Sequence, residues 1–301
     1  MVIKESRGDK VFNVIVYIVL AIILVVVAYP LWFVLMASIS DPDAVNSGRM
    51  ILFPKGITFE GYKYVFQNAE IMTGYRNTLF YTVLGTSLNL VVTLPAAYAL
   101  SRRDFFGNKF FTFMFLFTMY FSGGLIPTYM LITQTLHMDN TIWVMIIPGA
   151  TSMTNIIICR TFFRSNIPDE MREAAEIDGC SNVRMFFSIV LPLSAAIIAV
   201  MALFFGIVHW NSYFNAMMYI SPNNKELYPL QLVMRDMLLQ TQYMVTQLME
   251  GGELGDWIEL QRRVNLMKYG LIVVASVPVL VIYPFVQKYF VKGVMVGAVK
   301  G

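Results

Sequence analysis

Six long runs of this chain contain no Asp, Glu, Lys or Arg, and they restrict its fold more than any other feature. They cover approximately residues 11–36, 78–100, 110–132, 142–159, 187–210 and 269–286. A hydrocarbon core needs about 20 apolar residues to be crossed by a helix. Uncharged runs of this length, without two-residue alternation, point to helices and away from barrel strands. Inside a bilayer a helix satisfies its own backbone groups, which an open strand cannot do. The expectation is an all-α integral membrane protein with six transmembrane helices. Composition agrees: 57% of the 301 residues are hydrophobic and 14% are charged, against roughly 25% charged in soluble domains.

Basic residues around the runs predict their orientation. One side collects the N-terminus with Lys4, Arg7 and Lys10, the 101–109 turn with Arg102, Arg103 and Lys109, and the 160–186 loop with Arg160, Arg164, Arg172 and Arg184. The C-terminal Lys288, Lys292 and Lys300 complete it, for 13 basic against 8 acidic residues, while the opposite side holds 9 against 11. Both termini are therefore expected in the cytoplasm. The first run follows basic residues as a secretory signal would. Its length and the lack of a small-residue cleavage site predict an uncleaved anchor.

The outer segments differ among themselves. Residues 40–77, with Pro42, Pro54, Tyr62, Tyr64 and Phe66, read as a folded surface loop. Residues 211–268 form the longest insertion, with a short helix expected over 228–239 and a flexible elbow at 250–255. Two cysteines, Cys159 and Cys180, are too few for a disulfide framework and read as packing residues. His137 and His209 have no metal-ligand spacing around them and read as interfacial structural residues. The net charge of +3 does not suggest nucleic acid. No phosphate loop, zinc-protease helix or nucleophile elbow occurs, so an enzyme lacks its parts and any energy source must lie in another polypeptide.

The segment from Pro168 to Pro192 puts a charged helix and a glycine turn where a membrane protein could keep a plain tether. Pro168 suits a first helical position, and Asp169 and Glu170 suit the positive end of the helix dipole. Gly179 can close the helix in a left-handed conformation, and Ser181 or Asn182 can cap the next turn. Reading forward, Glu173-Ala174-Ala175, three residues, Gly179, nine residues and Ile189-x-Leu191-Pro192 resemble at every defined position the EAA signature of ABC importer permeases. His209-Trp210-Asn211-Ser212-Tyr213-Phe214 and the ending from Gln287 to Gly301 are similar to the carbohydrate, maltose-permease-like type, and to its polysaccharide or oligosaccharide subgroup.

The resemblance covers essentially the whole chain and carries several implications. It implies a type I importer transmembrane domain: an anchor and outer loop over 1–70, a permease core over 71–290 and a cytoplasmic tail over 291–301. The core would include a coupling helix at 168–179 and the outer loop 211–268. Glu173, Ala174, Ala175, Asp178 and Gly179 would couple to a cytoplasmic ATPase, the alanines lying on the helix surface for close approach. Pro192 would bend the following span. The implied partners are a second homologous permease, two ATPase subunits, an extracytoplasmic solute-binding protein and membrane lipid. ATP and Mg would be used by the ATPases, with no cofactor bound by this chain. The location implied is a prokaryotic cytoplasmic membrane, crossed several times.

For the substrate path, Trp210, Asn211 and Tyr213 could offer ring faces and hydrogen bonds to sugars, although an aromatic belt at the water interface has the same composition. Asn89 and Asn155 could line a polar cavity, or simply bond neighbouring helices. An importer of amino acids or peptides shares the EAA signature and is the rival reading. A secondary transporter would need ionisable residues inside its spans, and these spans have none.

Overall fold

The computed structural model describes residues 6–251 and 254–298. Among the described residues all regular structure is helical: α1 Arg7–Ala37, α2 Pro42–Asn46, α3 Glu60–Gln67, α4 Ala69–Ser101, α5 Asn108–Tyr120, α6 Leu125–Met130, α7 Met153–Asn166, α8 Asp169–Ile177, α9 Asn182–Met185, α10 Leu191–Leu193, α11 Ala195–Trp210, α12 Phe214–Tyr219, α13 Leu230–Gly251 and α14 Leu254–Ala298. Short π-helical turns at Leu131–Thr135 and Phe186–Val190, and 3-10 turns at Ile142–Met145 and Pro222–Leu227, join them. The chain forms two compact units, one of residues up to Asn68 with Asp236–Val277, the other of Ala69–Arg235 with the chain from Pro278 onward.

In the first unit, α1 starts with a capping box between Ser6 and Asp9 and runs for 31 residues, about 46 Å at 1.5 Å per residue. Nearly all its side chains are exposed, as suits a helix whose solvent is lipid. Its far end is tied down: Trp32 Nε1 donates to the Leu52 carbonyl at 2.7 Å, and the Ser38 and Tyr62 hydroxyls meet at 2.7 Å. Ala37, Val45 and Met50 form a small core with Phe33, Met36 and Tyr269. α3 crosses α14 so closely that a Cβ on Gly61 would stand 2.4 Å from the Leu266 carbonyl oxygen. The 40–77 loop is thus folded, and α4 already begins within it at Ala69.

In the second unit α4 is the central element. Among its buried positions Ile71, Gly74, Thr78, Tyr81, Gly85, Asn89, Thr93 and Ala97 recur every three or four residues, so they share one face, and buried Asn77 lies beside Thr78 at its edge. Asn77 Nδ2 donates to the carbonyls of Glu226 and Tyr228, Tyr81 OH to that of Leu227, and Thr78 Oγ1 accepts from the Leu230 N–H at 2.8 Å. These bonds lie between residues about 150 apart in sequence and fix the start of α13. At the other end of α4 a core of Ala97, Leu100, Phe163, Ala175, Met185 and Phe186 joins α4 to α7, α8 and α9. Cys159 and Cys180 are free thiols that pack in this core.

The spans depart from six unbroken helices. Among the described residues three helical stretches, Arg7–Ala37, Ala69–Ser101 and Val264–Phe285, are unbroken and long and apolar enough to cross a membrane, and up to five candidates result if each bent pair counts as one. The run expected at 110–132 bends by 109° between α5 and the α6 segment, where Ser122-Gly123-Gly124 supplies no helix former and Gly124 takes a φ of +84°. The expected helix at 142–159 is corrected: a 3-10 turn covers Ile142–Met145, Pro148 and Gly149 interrupt it, and α7 runs seven residues beyond the apolar run to Asn166. The run at 187–210 bends by 82° between Asn182–Leu193 and α11. By contrast Pro30, Pro95, Pro278 and Pro284 all lie inside unbroken helices.

The helix expected over 228–239 extends to Gly251. Of the elbow at 250–255, Gly252 and Glu253 lie outside the described residues, as do Lys4 and Lys300 and the last three residues of the tail.

Candidate functional site

The site is built on α8. Pro168 is the residue before the helix, at φ −67° and ψ 150°, so the first helical position belongs to Asp169, one residue later than the sequence reading placed it. Asp169 and Glu170 occupy the first turn, where carboxylates meet the positive end of the dipole. The helix ends in a Schellman turn. Gly179 N donates to the Glu176 carbonyl at 3.0 Å and Cys180 N to that of Ala175 at 2.9 Å, with Gly179 at a φ of +73°. Those two bonds satisfy carbonyls that the end of a helix leaves open. Ser181 then caps α9 by accepting from the Arg184 N–H.

One face of α8 is turned inward. Ala175 is buried against the chain's own core, which corrects the expectation that both alanines lie on the surface. Ala174 is exposed, as are Glu170, Glu173, Ile177 and Asp178. These residues follow the three- and four-residue spacing of one helical face. Ile177 is 86% exposed, an apolar side chain set among carboxylates. Sequence reading assigns Glu170 only to the first turn and does not single out Ile177, although the helical period counted from Glu173 reaches both.

A cluster of charges clamps α8 to the 101–108 turn. Arg102 donates from Nε to Asp104 at 2.9 Å, from Nη2 to the other Asp104 oxygen, and from Nη1 to Asn182 Oδ1 at 2.5 Å. Arg172 bonds Glu176 one turn along at 2.8 Å and lies 3.7 Å from Asp104. Arg103 and Asp169 are 3.5 Å apart. The hydrogen bond from Arg102 holds the Asp104 carboxyl below the usual carboxylate range, and the same bond pushes the Arg102 guanidinium up. Bidentate arginine pairs fix geometry as well as charge.

The turn itself is held from behind. The Leu100 carbonyl, at the end of α4, accepts from Asn108 Nδ2 and from Arg160 Nε, each at 2.9 Å. Arg164 Nε donates to the Ser101 carbonyl at 3.2 Å. Guanidinium groups thus meet the negative end of the α4 dipole. A cavity of about 350 Å³ lies behind α8, lined by Tyr98, Arg103, Arg164, Pro168 and Asp169 among others.

The remaining sequence candidates lie apart from α8. Pro192 falls in α10, between a π turn and the 82° bend, and Ser194 Oγ donates to the Val190 carbonyl at 2.6 Å within that bend. Asn89 is fully buried, its Nδ2 donating to the Gly149 carbonyl at 2.6 Å and its Oδ1 standing 2.7 Å from His209 Nε2. Both ends of that amide are engaged inside the protein. Asn155 is half-buried on α7. Trp210 is buried edge-on against Tyr75, with ring centroids 5.7 Å apart. Asn211 bonds back to the Ile207 carbonyl, and Tyr213 is exposed. A groove of about 440 Å³ between α4, α11 and Pro278–Ile282 is lined by Trp210 but by none of the other four.

The family model described as "binding-protein-dependent transport system inner membrane component" matches residues 69–296. The polygalacturonan/rhamnogalacturonan transport system permease protein YtcP of Bacillus subtilis is 36% identical over 97% of this chain and 99% of its own length. The arabinooligosaccharides transport system permease protein AraQ of Halalkalibacterium halodurans is 25% identical over 99% of this chain and all of its own. Among solved structures, a chain of a bacterial ABC transporter involved in the import of the acidic polysaccharide alginate is 31% identical, with a TM-score of 0.81 over 95% of this chain and 99% of that one.

Proposed function

The chain belongs to the family of binding-protein-dependent transport system inner membrane components, and from that premise we propose that it is the permease subunit of an ABC importer for a carbohydrate, most specifically an oligosaccharide or polysaccharide fragment. Relatives named for polygalacturonan, arabinooligosaccharide and alginate transport support the sugar class over amino acids or peptides. The chain is an inner-membrane transport subunit. In this proposal it crosses the membrane six times with both termini in the cytoplasm, α7 and the irregular 142–152 segment supplying the crossing that is not one apolar helix. The division into an anchor with outer loop (1–70), a permease core (71–290) and a tail (291–301) belongs to the same proposal.

The observation that carries the reading is the construction of α8. It is clamped by Arg102, Asp104 and Arg172, closed by a Schellman turn, and rooted by Ala175 in the same core as Leu100, Phe163 and Met185. A helix held this firmly on one side offers Glu170, Glu173, Ala174, Ile177 and Asp178 to a partner on the other. An ATPase seated there would move α8 as a rigid body. Close packing passes such a displacement to α4, α7 and α9 instead of absorbing it. ATP and Mg stay with two ATPase subunits. A second permease completes the pathway, and an extracytoplasmic binding protein delivers the sugar.

The test is recovery of the ATPase subunits with the purified permease. Glu173→Lys reverses a charge on the exposed face and should lower recovery at unchanged membrane insertion; undiminished recovery removes α8 as the docking element. Uptake assays with the cognate binding protein decide the substrate class, since amino-acid uptake without sugar uptake contradicts it.

A further inference from the structure

We propose that the turn between α4 and α5, together with the last turns of α7, binds the phosphate headgroup of an anionic phospholipid at the inner membrane surface, an inference that rests on the orientation proposed above. A cavity of about 500 Å³ opens there, lined by Arg102, Arg103, Lys109, Arg160 and Arg164, with Asn108 between them and no carboxylate in its lining. Two of these cations are matched elsewhere, Arg102 by Asp104 and Arg103 by Asp169. Among the described residues no carboxylate lies within 4 Å of Lys109, Arg160 or Arg164.

The geometry favours a phosphate. Bonds from Arg160 Nε to Leu100 and from Arg164 Nε to Ser101 hold both guanidinium groups in place. Their Nη amino groups have no acceptor among the described residues. α5 begins at the same cavity, and no side chain caps its start at Gly107, so the open N–H groups of a 13-residue helix add to the positive field. Basic pockets on the cytoplasmic side of membrane helices suit anionic headgroups for this reason.

The apolar surroundings decide between a lipid and a soluble partner. Phe106 is 97% exposed at the tip of the turn, and Phe110, Phe113 and Phe117 follow it, all exposed. On α5 the spacing of Phe110, Phe113 and Phe117, three and four residues, makes a single stripe, and it runs along a helix of a candidate span. An acidic protein surface would match the cations but leave the stripe without a partner. One phospholipid matches both, its phosphate in the cavity and its acyl chains along the phenylalanines.

Native mass spectrometry of the full chain in detergent, offered equal amounts of phosphatidylglycerol and phosphatidylcholine, tests the site. The wild type should retain phosphatidylglycerol preferentially. Lys109→Gln should reduce that preference about fivefold, the effect expected of one surface cation. Lys109 is exposed and supports no other element, whereas variants at Arg160 and Arg164 would also disturb the end of α4. Equal retention of the two lipids by the wild type overturns the proposal, as does a preference that survives Lys109→Gln together with Arg164→Gln. A Lys109→Gln chain that keeps the lipid preference but loses the ATPase subunits makes this a protein-docking face and also overturns it. Absence of the lipid preference with normal ATPase recovery from the wild type defeats this inference alone; absence of the ATPase from the wild type defeats the proposed function instead.

Discussion

Gly85 on α4 lies directly against the imidazole of His209 on α11: a Cβ built on the glycine would be 2.4 Å from His209 Cε1 and 2.5 Å from Nε2. The ring cannot withdraw freely, because its Nε2 is engaged with Asn89, which in turn holds the Gly149 carbonyl. A glycine, a histidine and an asparagine thus bring α4, α11 and the irregular segment before α7 into one packed contact.

Gly85→Ala should therefore push α11 from α4 or break the His209–Asn89 bond. Overpacking of this kind costs about 1–3 kcal/mol. The expected outcome is a lower unfolding temperature of the purified protein in detergent, while Gly206→Ala, which has only ordinary contacts at 3.8 Å and beyond, should change it far less.

The Schellman turn after α8 depends on backbone conformation alone, since nothing lies within 4 Å of a Cβ at Gly179. Gly179→Ala should cost about 1 kcal/mol from the left-handed φ, and Gly179→Asn less, because asparagine tolerates that region. Hydrogen exchange at the Cys180 amide, bonded to Ala175, should be slowest with glycine at 179, faster with asparagine and fastest with alanine.

The exposed apolar tip of α8 should matter for docking and not for folding. Ile177→Asp should reduce ATPase recovery by at least about tenfold, in the range of an interface anchor worth 1.4 kcal/mol or more, with unchanged thermal stability. Ala175→Leu should do the reverse, lowering stability because it overfills the chain's own core.

The clamp on α8 should respond to acid. Asp104 has a folded-state pKa below its ordinary value because Arg102 bonds its charged form. A depressed carboxylate contributes stability that is fully present above the unfolded value of about 3.9 and is lost as pH falls through the lowered one. Limited proteolysis of the 101–108 turn should thus be flat from pH 7 to 5 and rise below about pH 4. Asp104→Asn should make the turn equally susceptible across that range.

The apolar runs and the segment from Glu173 to Pro192 carried most of the helical architecture and the candidate coupling helix in one dimension. A run without charge must be buried in lipid or protein whatever surrounds it, and the charged first turn and Gly179 mark the limits of α8 through local dipole and dihedral preferences. Those effects act over a few residues, so they can be read in order along the chain. Only the family resemblance singles out Pro192 as a bend, and α10, which contains it, is followed by an 82° bend; the local rules for proline apply equally to Pro95, which lies inside unbroken α4.

What lies on which side was decided only by tertiary structure. Ala174 and Ala175 are identical by composition and adjacent in sequence, yet one faces solvent and the other a core built from α4, α7 and α9. Arg102, Asp104, Arg172 and Asn182 are about 80 residues apart at their extremes and carry no signal of their pairing. Asn89 met His209 across 120 residues. Hydrophobicity and dihedral preference belong to single residues and short windows, but a contact belongs to two distant ones, and only the packed chain specifies which two.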